Sequence, residues 1–265
     1  MARVVATDWG WNTSTFDLEF FVNAFSGDLT VTPRRIVVAA EAHAVFKGVD
    51  FGDPRDNGFP GVGTIHALTI TTGSGASLQF TGLDVSMEAL VTAVDKEDLA
   101  ELQALFFSGD DQMFGTADDD NDLYGMGGDD LLVGNNDIDR LLGGAGADTL
   151  VGGLAKDTLM GGSGADVCVF TSVEDSSTQA AADRIGDLGA GDVIDLRAID
   201  ANEGKAGNQA FKLVAAFDGR AGQATLTYEA ADDITWLRLD TDGDMLADMT
   251  VRLDGEHTGF TGFIL

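Results

Sequence analysis

One apolar position recurs every nine residues through the middle of this chain. It is filled by Leu132, Leu141, Leu150, Leu159 and Cys168. Two positions before each stands an aspartate, at Asp130, Asp139, Asp148, Asp157 and Asp166. Seven positions before each stands a glycine, at Gly125, Gly134, Gly143, Gly152 and Gly161. The apolar triplet around each phased residue is too short for a helix. Strand side chains alternate between faces, so only its middle residue points inward. A fixed period of nine with this pattern predicts stacked turns and short strands. A flexible glycine-rich linker would keep no phased leucine column.

The rest of the chain has a different rhythm. Phe16, Leu18 and Phe20 alternate with acidic residues, as in a strand. Ile36, Val38, Ala40, Ala42, Ala44 and Phe46 form one face of what reads as a single long strand. Strands at about 64–72 and 77–82 flank Gly73-Ser74-Gly75 and predict a hairpin. Helices are expected from Ser86 to Val94 and from about Lys96 to Phe106, the second with Asp95 as its N-cap. The expected fold is therefore mainly all-β. It comprises a parallel β-roll, an N-terminal β-rich cap with one or two short helices, and a C-terminal β-rich cap. The matching division is 1–106, 107–170 and 171–265. A cap is expected because the open end of a stacked coil needs covering.

Stacking the nonapeptides lines their aspartates along the edges of the coil, where like charges repel without a counter-ion. Carboxylate and carbonyl oxygens suit a hard divalent cation, and calcium is the natural one. The turn glycines permit positive φ and close backbone approach. The candidate calcium residues are thus Asp130, Asp139, Asp148, Asp157 and Asp166, with Gly128, Gly144, Gly146, Gly153, Gly162 and Gly164 in the turns. Two degenerate repeats upstream, Gly109–Met113 and Asp120–Tyr124, add Asp111 and Asp122. Ala155 replaces a turn glycine and Lys156 follows it, so a weakened site is expected there. Asn135 and Asp137 also replace glycines, but both residue types tolerate positive φ.

Charge sharpens this picture. The chain of 265 residues carries a net charge of −30, which argues against nucleic acid and anionic membranes as partners. From Phe107 to Phe170 there are 13 aspartates and no glutamate, against Arg140 and Lys156 alone. A merely solubilising surface would mix the two acids. No apolar run approaches the length of a membrane span. The single cysteine, Cys168, lies in the inward column, which predicts a buried apolar role.

The nonapeptides resemble the hemolysin-type repeats of the RTX family of secreted calcium-binding proteins. That resemblance implies two repeats per turn of the roll, with Asp130, Asp148 and Asp166 on one edge and Asp139 and Asp157 on the other. Downstream, Asp183-Arg184-Ile185, Gly191-Asp192-Val193-Ile194-Asp195-Leu196 and Ala247-Asp248-Met249 follow in an order similar to the C-terminal module of serralysin-type peptidases. The terminal Gly262-Phe263-Ile264-Leu265 looks like that family's secretion signal, although the usual acidic residue is Gly262 here. The N-terminus lacks the apolar core of a secretory signal. The resemblance instead implies passage through a type I secretion apparatus to the outside of a Gram-negative cell.

A peptidase of the serralysin class would need His-Glu-x-x-His. The three histidines, His43, His66 and His257, do not form it, and Gly-x-Ser-x-Gly is absent as well. The favoured expectation is a non-enzymatic protein whose N-terminal module binds an extracellular polysaccharide or surface ligand. The alternative is a hydrolase with an unfamiliar site in residues 1–106. Asp240, Asp242, Asp244 and Asp248 resemble half of an EF-hand loop, but Val251 holds its twelfth place. A tight turn between strands 235–240 and 248–253 is the reading preferred over a further calcium site.

Overall fold

The computed structural model describes residues 3–6, 28–32, 35–39, 42–47, 64–72, 77–86, 107–115, 120–177 and 179–265. Its described elements are all strands. Six precede the repeats: β1 (Arg3–Ala6), β2 (Asp28–Thr32), β3 (Arg35–Ala39), β4 (Ala42–Lys47), β5 (Thr64–Thr72) and β6 (Ser77–Ser86). The hairpin expected around residue 74 is present as antiparallel β5 and β6. The single strand expected from Ile36 to Phe46 is instead two, β3 and β4, paired antiparallel through Val37 and Val45. Alternation of period two continues across both arms of a hairpin, so the pattern does not reveal the reversal. Ser86 ends β6 and does not begin a helix. The remainder of both expected helices, and the Phe16–Phe20 alternation, lie outside the described residues.

The roll follows as β7 (Gln112–Phe114), β8 (Asp122–Gly127), β9 (Leu131–Asn135), β10 (Arg140–Ala145), β11 (Thr149–Gly153), β12 (Thr158–Ser163) and β13 (Val167–Val169). Successive strands alternate between two sheets, so each nonapeptide supplies one turn and one strand. Partners within a sheet are parallel and lie eighteen residues apart: Leu132 pairs with Leu150 and Leu150 with Cys168. In the opposite sheet Leu123 pairs with Leu141 and Leu141 with Leu159.

Two more strands, β14 (Asp183–Ile185) and β15 (Val193–Asp195), extend the stack past residue 170 by pairing with β12 and β13. The C-terminal strands are β16 (Lys212–Leu213), β17 (Gln223–Glu229), β18 (Ile234–Asp240), β19 (Met249–Asp254) and β20 (Phe263–Ile264). The first sheet runs β2-β3-β4-β5-β6-β1-β7-β9-β11-β13-β15-β20, and the second runs β16-β17-β18-β19-β14-β12-β10-β8.

The core of the roll is one side chain deep from each sheet. Leu132, Leu141, Leu150 and Leu159 are completely buried, flanked by Met113, Leu123, Cys168, Ile185 and Ile194. Their neighbours along each strand are only half-buried. Each repeat therefore orders nine residues for one fully buried large side chain, a poor exchange against backbone entropy. The C-terminal meander is thicker: Leu237, Leu239, Met249, Val251 and Leu253 are fully buried. β19 joins it to the roll by pairing with β14, and Asp254 there bridges Arg184 and Arg252.

Candidate metal centre

The turns between strands stack into two edges. On one, the turns 125–130, 143–148 and 161–166 lead from the second sheet to the first. On the other, the turns 134–139 and 152–157 lead back. Positions two and four of every turn have positive φ: Met126 and Gly128, Asn135 and Asp137, Gly144 and Gly146, Gly153 and Ala155, Gly162 and Gly164. This paired left-handed kink reverses the chain within six residues.

The kink leaves each sixth-place aspartate buried beneath its own turn. Asp130, Asp139, Asp148, Asp157 and Asp166 are each at most 3% exposed. Their Oδ1 atoms form a ladder. Asp130 accepts from the Asp111 amide at 2.7 Å, Asp148 from that of Asp130 at 2.8 Å, and Asp166 from that of Asp148 at 2.9 Å. On the other edge Asp139 accepts from the Asn121 amide and Asp157 from the Asp139 amide, at 2.7 and 2.8 Å.

The second oxygen, Oδ2, of each of these aspartates is buried and has no hydrogen-bond partner. It points under the first glycine of the turn. A Cβ built on Gly143 would lie 2.2 Å from Asp148 Oδ2, and one on Gly125 would lie 2.1 Å from Asp130 Oδ2 and 2.5 Å from the Gly143 carbonyl oxygen. The space above that glycine is thus bounded by a bare carboxylate oxygen of one turn and a carbonyl oxygen of the next.

The electrostatic consequence is large. Burial pushes Asp130 up to about 8, Asp157 to about 7, and Asp139 and Asp148 to about 6. The amide donors pull the other way, and neighbouring carboxylates, such as Asp111 and Asp148 beside Asp130, push further up. Asp166 is raised for the same leading reason. Native proteins rarely leave buried polar groups unsatisfied.

Both ladders run further than the nonapeptide pattern. Asp183 Oδ1 accepts from the Asp157 amide at 2.8 Å, its Oδ2 is a further buried oxygen without a partner, and burial pushes it up to about 9. Asp192 Oδ1 accepts from the Asp166 amide at 3.1 Å, and Asp187 accepts from the amides of Gly161 and Gly162. The nine-residue phase does not reach these residues, because their turns are lengthened. The signal that survives is an aspartate two before a buried apolar residue, Asp183 before Ile185 and Asp192 before Ile194.

At the N-terminal end the same rule places Asp111 in the column, two before buried Met113. On the other edge it corrects the expectation for Asp122. Leu123 is the buried residue, so Asn121 takes the column position and donates its side-chain amide to Asp139 Oδ1 at 2.8 Å. Asp122 lies one place on, in β8, paired with Arg140.

The Asp240–Asp248 segment is a turn between β18 and β19. Asp240, Asp242 and Asp244 converge to within 4.8 Å. Their oxygens accept local amides: Asp240 from Gly243 and Met245, Asp242 from Asp244, and Asp244 from Leu246. The carboxylates thus shape the turn themselves.

Among known families, the serralysin C-terminal model of the M10 peptidases matches residues 87–265. The chain belongs to that family. It is the non-catalytic repeat module of the serralysins, and its members are RTX repeat proteins, consistent with a secreted calcium-binding repeat protein. The chain is 42% identical to the metalloprotease AprA of Pseudomonas entomophila (strain L48) over 89 residues, 33% of this chain and 18% of that relative. Among solved structures it is similar to the AlgE6R2 subunit of an Azotobacter vinelandii mannuronan C5-epimerase, with 24% identity, TM-score 0.36, and coverage of 59% of this chain and 88% of that one. The AlgE6R3 subunit is 27% identical with TM-score 0.28, covering 60% and 79%.

The bare oxygens fit the calcium typical of the family. Among the described residues, the donors facing the turns are carboxylates and carbonyls, with no thiolate or imidazole among them, the set a hard cation selects.

Proposed function

We propose that this chain is a secreted calcium-binding protein whose roll folds as calcium binds outside the cell. The observation that carries this reading is the stack of buried, unpartnered Oδ2 atoms at Asp130, Asp139, Asp148, Asp157, Asp166 and Asp183. Bound there, calcium would neutralise the columns and cross-link successive turns. Asp111 and Asp192 would complete the first edge. A site assembled only by folding turns binding energy into folding energy. Extracellular calcium modules bind at about 10⁻⁴–10⁻³ M. The roll would therefore stay unfolded in a low-calcium cytosol, the form a type I secretion apparatus carries. β20, within the signal-like terminus, pairs with β15 and would be legible to that apparatus only in the unfolded chain.

The role is non-enzymatic in this reading. The region before residue 107 acts as an adhesive, matrix or surface-associated module toward a polysaccharide or other surface ligand. Calorimetric titration of the chelated protein tests the calcium assignment. Several ions should bind per chain, and replacing Asp130, Asp148 and Asp166 together with asparagine should remove most of that heat. Unchanged stoichiometry in the triple variant would sink the assignment.

A further inference from the structure

We infer that the two edges of the roll are calcium sites of two affinities. The edge carrying Asp130, Asp148 and Asp166 fills first and folds the roll. The edge carrying Asp139 and Asp157 fills later, on the roll already folded. This rests on the reading above that the columns hold calcium.

The backbone at the fourth turn position separates the edges. On the first edge that position is always glycine, and successive turns touch there backbone to backbone. A Cβ on Gly146 would lie 2.0 Å from the Gly128 carbonyl oxygen, and one on Gly164 would lie 1.7 Å from the Gly146 carbonyl oxygen. On the second edge the fourth positions are Asp137 at φ 62° and Ala155 at φ 91°. Both already carry a Cβ, so these turns cannot repeat the glycine contact. Ala155 is in addition held in a conformation that L residues disfavour.

The donors differ in the same direction. The column position that is Asp111 on the first edge is Asn121 on the second, where a neutral amide donates to Asp139. Lys156, the neighbour of Asp157, adds a positive charge to the second edge and donates to the Ala180 carbonyl. The three complete turns of the first edge hold no cationic residue. Calcium affinity follows the charge of the ligands and the rigidity of the site. Both quantities favour the first edge.

The test is calorimetry and far-UV circular dichroism on the same chelated full chain, titrated with calcium. The heat should resolve two classes separated by about tenfold or more in affinity, with the strand signal complete once the tighter class is full. Asp157→Asn, which keeps an oxygen acceptor for the Asp139 amide, should remove heat from the weaker class and shift the folding midpoint less than the matching change at Asp148. Asp148→Asn should shift the folding midpoint itself. The double variant Ala155→Gly with Lys156→Gly should draw the weaker class toward the tighter one. A single class in the parent protein, or a double variant whose two classes keep their original separation, would overturn the inference. Absence of any calcium heat would overturn the calcium reading itself.

Discussion

A buried aspartate with one oxygen bonded and the other bare is an unstable arrangement by itself, and its direction of instability can be stated. Asp130, Asp139, Asp148 and Asp157 have folded values raised to between about 6 and 8, above the ordinary carboxylate range. The folded chain therefore binds more protons than the unfolded one across this interval. Without calcium, stability is greatest below the unfolded value near 4 and is lost as pH rises through the folded values. Chelated protein should gain strand signal when taken from pH 8 to pH 5, and calcium should abolish this dependence. Equal signal at both pH values in chelator would contradict the burial of these groups. At the first glycine the steric test is equally direct. Gly143→Ala places a methyl against Asp148 Oδ2, so it should raise the calcium needed for folding severalfold. Gly259→Ala is the control, because nothing lies within 4 Å of a Cβ built there.

The strands of the roll depend on a core one residue deep, and single core positions therefore carry much of its cohesion. Leu150 is completely buried between Leu132 and Cys168. Leu150→Ala should cost about 2–5 kcal/mol, read as a higher calcium midpoint with unchanged final stoichiometry. Val151→Ala, at a half-buried neighbour, should cost clearly less. This level was the most legible in the sequence, because a period of nine with one inward residue admits few geometries. Legibility failed where a single pattern has two solutions. The alternation from Ile36 to Phe46 suits one strand or the two arms of a hairpin. Asn121 and Asp122 could be told apart only by counting back from Leu123. Asp183 and Asp192 were hidden by turns of unusual length, although each keeps its apolar partner two residues on.

At the scale of the molecule, two sheets share one stack of turns, and β19 and β20 seal its C-terminal end by pairing with β14 and β15. The meander has a core of its own, whereas the roll has a thin core and two columns of negative charge. The roll should be the part that responds to calcium. The most direct test is far-UV circular dichroism of the chelated chain at neutral pH, titrated with calcium and, in parallel, with magnesium. A cooperative gain of strand signal is expected with calcium, and none at the same concentration of magnesium, which dehydrates reluctantly and demands near-ideal octahedral geometry. A strand spectrum that is the same in chelator as in calcium would contradict that expectation.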